Sequence, residues 1–179
     1  MLEDFCGPQT WGPRKSGTHI RTEVRVARWR SPGHLATMLG VMKGRFTGSC
    51  LCGAVSFAFD SEPRLTVACH CSQCRKATGS AFGVWTLVDQ DSFRWTAGAE
   101  QIAERASSEH GQRLFCKCCG ATLGNLTSRR PRFIHLAAGT LDNAPALRIA
   151  FHAYVASKAD WYDIADGIPQ HDEEPTQRG

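Results

Sequence analysis

No apolar run in these 179 residues approaches the about 20 needed to cross a bilayer as a helix. The best N-terminal stretch, Leu35–Met42, is short, interrupted by Thr37 and preceded by a long polar segment, so it does not read as a secretion signal. A cytoplasmic, reducing location and no membrane partner are therefore expected. There is no internal repeat and no low-complexity tract, and only Ser72–Thr78 reads as a helical turn. A basic groove is missing as well. Residues 1–43 carry seven Lys/Arg against three Asp/Glu, whereas residues 44–179 carry fourteen of each. The net charge of +4 thus belongs to the first segment, and nucleic acid is not an expected partner. The one local cluster, Arg129-Arg130-Pro131-Arg132, reads as a solvated loop.

What is present is a series of short strands. Residues 1–43 hold Pro8, Pro13 and Pro32 without a sustained apolar period. They read as a basic extension, disordered or preceding the true start at Met42, rather than as a targeting peptide, since Glu3 and Asp4 sit near the terminus. From Gly44 on, "AVSFAF" alternates Val55, Phe57 and Phe59 with smaller residues, the pattern of a half-buried strand. "RLTVAC", "AFGVWTLV", "SFRW", "QIAERAS", "QRLFC", "RFIHLAAGTL" and "LRIAFHAYVAS" continue it. Gly98, Gly111, Gly120, Gly124 and Asp142-Asn143 punctuate the run. Residues 44–169 are expected to form one domain, and 170–179 a polar, frayed tail.

Nine cysteines stand out against this background. Cys6 is isolated and reads as incidental. The other eight fall into Cys50-x-Cys52, Cys69-x-Cys71-x-x-Cys74, and Cys116-x-x-Cys119 with Cys118 between. Closed zinc sites take four soft ligands, and C-x-x-C turns supply two apiece. Gly53 and Gly120 follow the second cysteine of their pairs, where a tight turn needs relief. Pairing Cys50 and Cys52 with Cys116 and Cys119 completes one four-cysteine site. Adjacent residues point apart, so Cys118 is expected to stay off that ion. Cys69, Cys71 and Cys74 then fill three corners of a second tetrahedron, and an open fourth corner marks a catalytic zinc. Closure of this second site by Cys118 or His70, or a reduced thiol cluster without metal, are the alternatives. Disulfides do not suit a reducing compartment.

"GSCLCGAVSF", "CHCSQCRKATGSAF", "FCKCCGATL" and "HAYVASKADWYDIADGIP" occur in an order and spacing that resembles the glutathione-dependent formaldehyde-activating enzyme family, from about Gly44 to Pro169. The resemblance implies a mainly β fold with few or no helices, a β-tent of several small antiparallel sheets stabilised by zinc. It implies two zinc ions per chain, one structural on Cys50, Cys52, Cys116 and Cys119, one at the active centre on Cys69, Cys71 and Cys74. It implies a carbon–sulfur lyase type of chemistry, in which a small thiol such as glutathione adds to formaldehyde or a related aldehyde. A homo-oligomer is left open. Arg75 and Lys76 would offset the charge of the three thiolates and bind the carboxylates of the tripeptide, with Lys158 and Trp161 of the C-terminal motif near the pocket. Ser80 and Phe82 would line it, and His152 reads as a hydrogen-bonded strand histidine. Some family members serve as non-enzymatic zinc modules, so a zinc-stabilised binding module for protein or nucleic acid is the competing expectation.

Overall fold

The computed structural model describes residues 45–143 and 146–175. Expectations for residues 1–43, Cys6 included, lie outside the described residues. Ten strands and one α-helix build the fold: β1 Phe46–Ser49, β2 Ser56–Phe59, β3 Leu65–Cys69, α1 Ser72–Thr78, β4 Gly83–Asp89, β5 Phe93–Ala97, β6 Ile102–Ala106, β7 Gly111–Cys116, β8 Thr122–Thr127, β9 Phe133–Ala137 and β10 Ile149–Ala153. The mainly β expectation holds, and the helical turn falls on Ser72–Thr78. The strands form two sheets. One is three-stranded in the order β1-β2-β5, and the other seven-stranded in the order β10-β3-β4-β9-β8-β7-β6. All pairings are antiparallel except β10 with β3, which is parallel. Among the described residues no helix is long and apolar enough to cross a membrane.

The seven-stranded sheet uses its two faces differently, because strand side chains alternate. Leu114 and Cys116 of β7, Ile134 and Leu136 of β9 and Val88 of β4 are buried in one core with Phe46, Phe57 and Phe59 of the small sheet. Aromatic pairs tighten that core: Phe46 and Phe59 rings are centred 5.2 Å apart, and Phe93 and Trp95 meet edge-on at 4.8 Å. The intervening residues Arg113, His135, Leu87 and Trp85 border a cleft on the other side.

Two strands, β1 and β8, were not legible in the strand series. In β8 the reason is Gly124, which punctuates the sequence but sits inside the strand, paired with Leu136. A Cβ there would come 2.6 Å from the carbonyl oxygen of His135, so glycine lets β8 and β9 approach. Of the residues after Pro169, expected to fray, those described make anchoring contacts as far as Glu174. The N–H of His171 donates to the His152 carbonyl at 2.9 Å, and Arg130 pairs with Glu174 at 2.8 Å.

Gly124→Ala forces β8 and β9 apart and is expected to cost about 1–3 kcal/mol of stability. Urea denaturation of both proteins checks this, and an unchanged midpoint contradicts it.

Candidate functional site

Two groups of sulfurs converge from distant parts of the chain. Cys50, Cys52, Cys116 and Cys119 form one, and Cys69, Cys71 and Cys74 the other, with the ligand atoms of each group all within 4.8 Å of one another. With zinc–sulfur bonds of about 2.3 Å, sulfurs at tetrahedral corners lie about 3.8 Å apart. Cys52 and Cys116 sulfurs are 3.8 Å apart, and Cys50 and Cys52 sulfurs 3.4 Å, so the four-cysteine group fits such an ion. Cys118 falls outside it, its sulfur 3.5 Å from Oε1 of Gln101.

Local backbone geometry explains the convergence. Gly53 and Gly120 take φ of +75° and +71°, a left-handed turn that favours glycine after each pair. The N–H of Gly120 donates to the Cys116 carbonyl at 2.9 Å, closing the knuckle. Backbone N–H groups also point at sulfur: Val55 donates to Cys50 Sγ at 3.3 Å, and Cys74 to Cys71 Sγ at 3.4 Å. Cys71 caps the N-terminus of α1, and β3 ends at Cys69, so a strand end and a helix start bring the three sulfurs together.

Sulfurs this close compete for charge. Hydrogen bonds from the Cys69 and Cys74 thiols pull Cys71 down to about 2. The contacts with Cys71 and Cys74, joined by burial, push Cys69 up. In the other group burial above all pushes Cys52 up to about 12. A cation at each centre relieves both effects, because it favours every thiolate at once.

Cys69, Cys71 and Cys74 border a cleft of about 520 Å³. Its floor is the outer face of the large sheet. Register places Arg113 opposite Asn125 and Asn125 opposite His135, a polar row across β7, β8 and β9. Trp85 packs against Cys69 and Cys74, as does Tyr154, whose backbone is left-handed at φ 59° although it is not glycine. Burial first, then Arg130 and Arg113, hold His135 down at about 4, so it is neutral at pH 7.

The cationic residues singled out in the sequence lie elsewhere. Arg75, Lys76, Lys158 and Trp161 are not among the cleft-lining residues. Arg75 Nε donates to the His70 carbonyl at 3.2 Å, Lys76 is exposed, and Lys158 Nζ donates to the Tyr162 carbonyl at 3.0 Å. Trp161 is 73% exposed. Ser80 hydrogen-bonds the Phe82 carbonyl, and the Phe82 ring stands 5.0 Å from that of His70. His70 is fully buried, and its Nε2 is 2.8 Å from His152 Nδ1, while His152 Nε2 is 2.9 Å from Asp166 Oδ2. This chain anchors the residue between two cysteines to the C-terminal segment, in keeping with a hydrogen-bonded strand role for His152. Arg113, Asn125 and His135 escaped the sequence reading. Their signal, alternation opposite the buried Leu114, Ile134 and Leu136, needs the strand register to be seen.

A family model described as glutathione-dependent formaldehyde-activating enzyme matches residues 45–157. The chain belongs to that family. An uncharacterized lyase of Schizosaccharomyces pombe is 34% identical over 124 residues, 68% of this chain and 86% of that protein. A Halomonas elongata protein named "Putative glutathione-dependent formaldehyde-activating enzyme" is 33% identical over 127 residues, 65% of this chain and 79% of that one. A solved Rhodobacter sphaeroides protein superposes with a TM-score of 0.46 at 22% identity, over 56% of this chain and 91% of that one.

The depressed His135 sets a pH dependence. A histidine held below its usual 6.5 contributes stability above that value, and loses it as pH falls towards about 4. His135→Gln should flatten the stability loss between pH 7 and 4, by at most about 3 kcal/mol. Denaturant titrations at several pH values check it; parallel curves for the two proteins contradict it.

Proposed function

We propose that this chain is a carbon–sulfur lyase that interconverts a small thiol such as glutathione, plus formaldehyde or a related aldehyde, with their S-hydroxymethyl adduct. The observation that carries this reading is the three-sulfur group at the wall of a cleft, one donor short of a tetrahedron. Cys50, Cys52, Cys116 and Cys119 would hold a structural zinc, and Cys69, Cys71 and Cys74 would hold a second zinc beside the cleft. When bound, the second zinc lowers the proton affinity of a thiol, so that thiolate is available at neutral pH.

The chain's own residues confine and orient the reactants. Val67, Trp85, Phe151 and Tyr154 line the cleft and limit water around the sulfur. His135 stays neutral and adds no charge. In the forward direction the thiol S–H bond breaks with its proton passing to water, a sulfur–carbon bond forms, the carbonyl π pair moves to oxygen, and water returns one proton to that oxygen. The reverse direction breaks that bond and returns thiol and aldehyde. The adduct also forms without a catalyst, so the protein's part is rate and thiol selection.

Exchange NMR on glutathione and formaldehyde with catalytic amounts of protein tests the reading. The wild type should speed interconversion, and Cys71→Ser should lose the acceleration while keeping one metal equivalent in the four-cysteine site. A rate equal to that in buffer overturns the lyase reading and leaves a zinc-stabilised binding module.

A further inference from the structure

Three thiolates and one dication leave a formal charge of −1 on the Cys69–Cys71–Cys74 centre, and a fourth thiolate would make it −2. Like charges disfavour that step, so a nearby cation decides whether the centre accepts an anionic or a neutral fourth donor. Arg75 and Lys76 follow the cluster in sequence, but Arg75 is engaged with the His70 carbonyl and neither lines the cleft. Arg113 comes to the cluster from β7, 39 residues from Cys74. Its Nη2 donates to Cys74 Sγ at 3.5 Å. Its guanidinium lies 5.1 Å from the centroid of the Trp85 ring, which fixes its plane. Its Nη1 is buried and has no partner. Among the described residues four buried side-chain polar atoms lack a partner, and three of them belong to the cleft-lining Trp85, Arg113 and His135. The other cleft arginines are placed differently: Arg130 pairs with Glu174 at 2.8 Å, and Arg129 is exposed.

We propose that Arg113 is a specificity-determining residue whose fixed charge makes the fourth position of the three-cysteine centre select an anionic donor, a thiolate above all. The proposal rests on the metal-centre reading given above. A guanidinium suits the task because it stays charged at all working pH values. Its fork can also hold Cys74 with one nitrogen and leave another for the incoming group.

The test uses the full chain loaded with Co²⁺, as wild type, Arg113→Gln and Arg113→Lys. Each protein is titrated with 2-mercaptoethanol, azide and imidazole and followed by Co²⁺ difference absorption. Arg113→Gln should bind both anionic donors at least about tenfold more weakly, with imidazole changed less than about twofold, and Arg113→Lys should restore part of the loss. Anion affinity in Arg113→Gln within twofold of wild type overturns the proposal, and so does a parallel loss of imidazole. If wild type takes azide but not 2-mercaptoethanol, and the azide arm depends on Arg113, the thiol reading fails and the charge-selection role stands. If it takes neither anion, both fail. Should Arg113→Gln not fold, Arg113→Lys decides: anion affinities matching the wild type for a displaced ammonium charge would overturn the role of the guanidinium contact.

Discussion

Thiolates repel one another, and that repulsion is the constraint on which this molecule turns. Seven sulfurs gather into two groups tight enough that ionising one sets it against the next: Cys71 is pulled down while Cys69 is pushed up, and burial above all pushes Cys52 up. Sulfurs placed so could hold a cation between them, and its coordination would then become folding free energy. The four-cysteine group ties the loop after β1 to the end of β7, and its Cys50 and Cys116 belong to the same buried core as Phe57 and Leu123. The centre is thus part of the packing rather than an attachment to it.

The large sheet keeps its two duties apart. Side-chain alternation sends Leu114, Ile134 and Leu136 into the core, and Arg113 and His135 to the cleft. The Asp166–His152–His70 chain then holds the loop between Cys69 and Cys71 against the parallel strand β10. The three-sulfur group is consequently supported from behind by buried hydrogen bonds and approached from the front through the cleft. A site built between a strand end and a helix start can be rigid without being closed.

Much of this was legible in the residues. Close spacing of cysteines, and glycines after Cys52 and Cys119, identify the sulfur groups because tight metal turns impose both. The strand around Phe57 and Phe59 is visible from local pattern, but it is not half-buried: Ala58 between them is buried as well, β2 being the middle strand of the small sheet. The parallel pairing of β10 with β3 was not legible, since it joins segments with no shared turn. Gly124 misled because a glycine required by close strand approach looks like one required by a turn. The cleft's polar row was hidden for a related reason. Arg113 lies far along the chain from Cys74, whereas the neighbouring cations Arg75 and Lys76 draw attention by adjacency alone.

Cadmium NMR of the chain reconstituted with ¹¹³Cd addresses the four-and-three division most directly. The account predicts two resonances of equal intensity, of which only one moves when a small thiol is added. A single resonance, or two that both ignore the thiol, would contradict it.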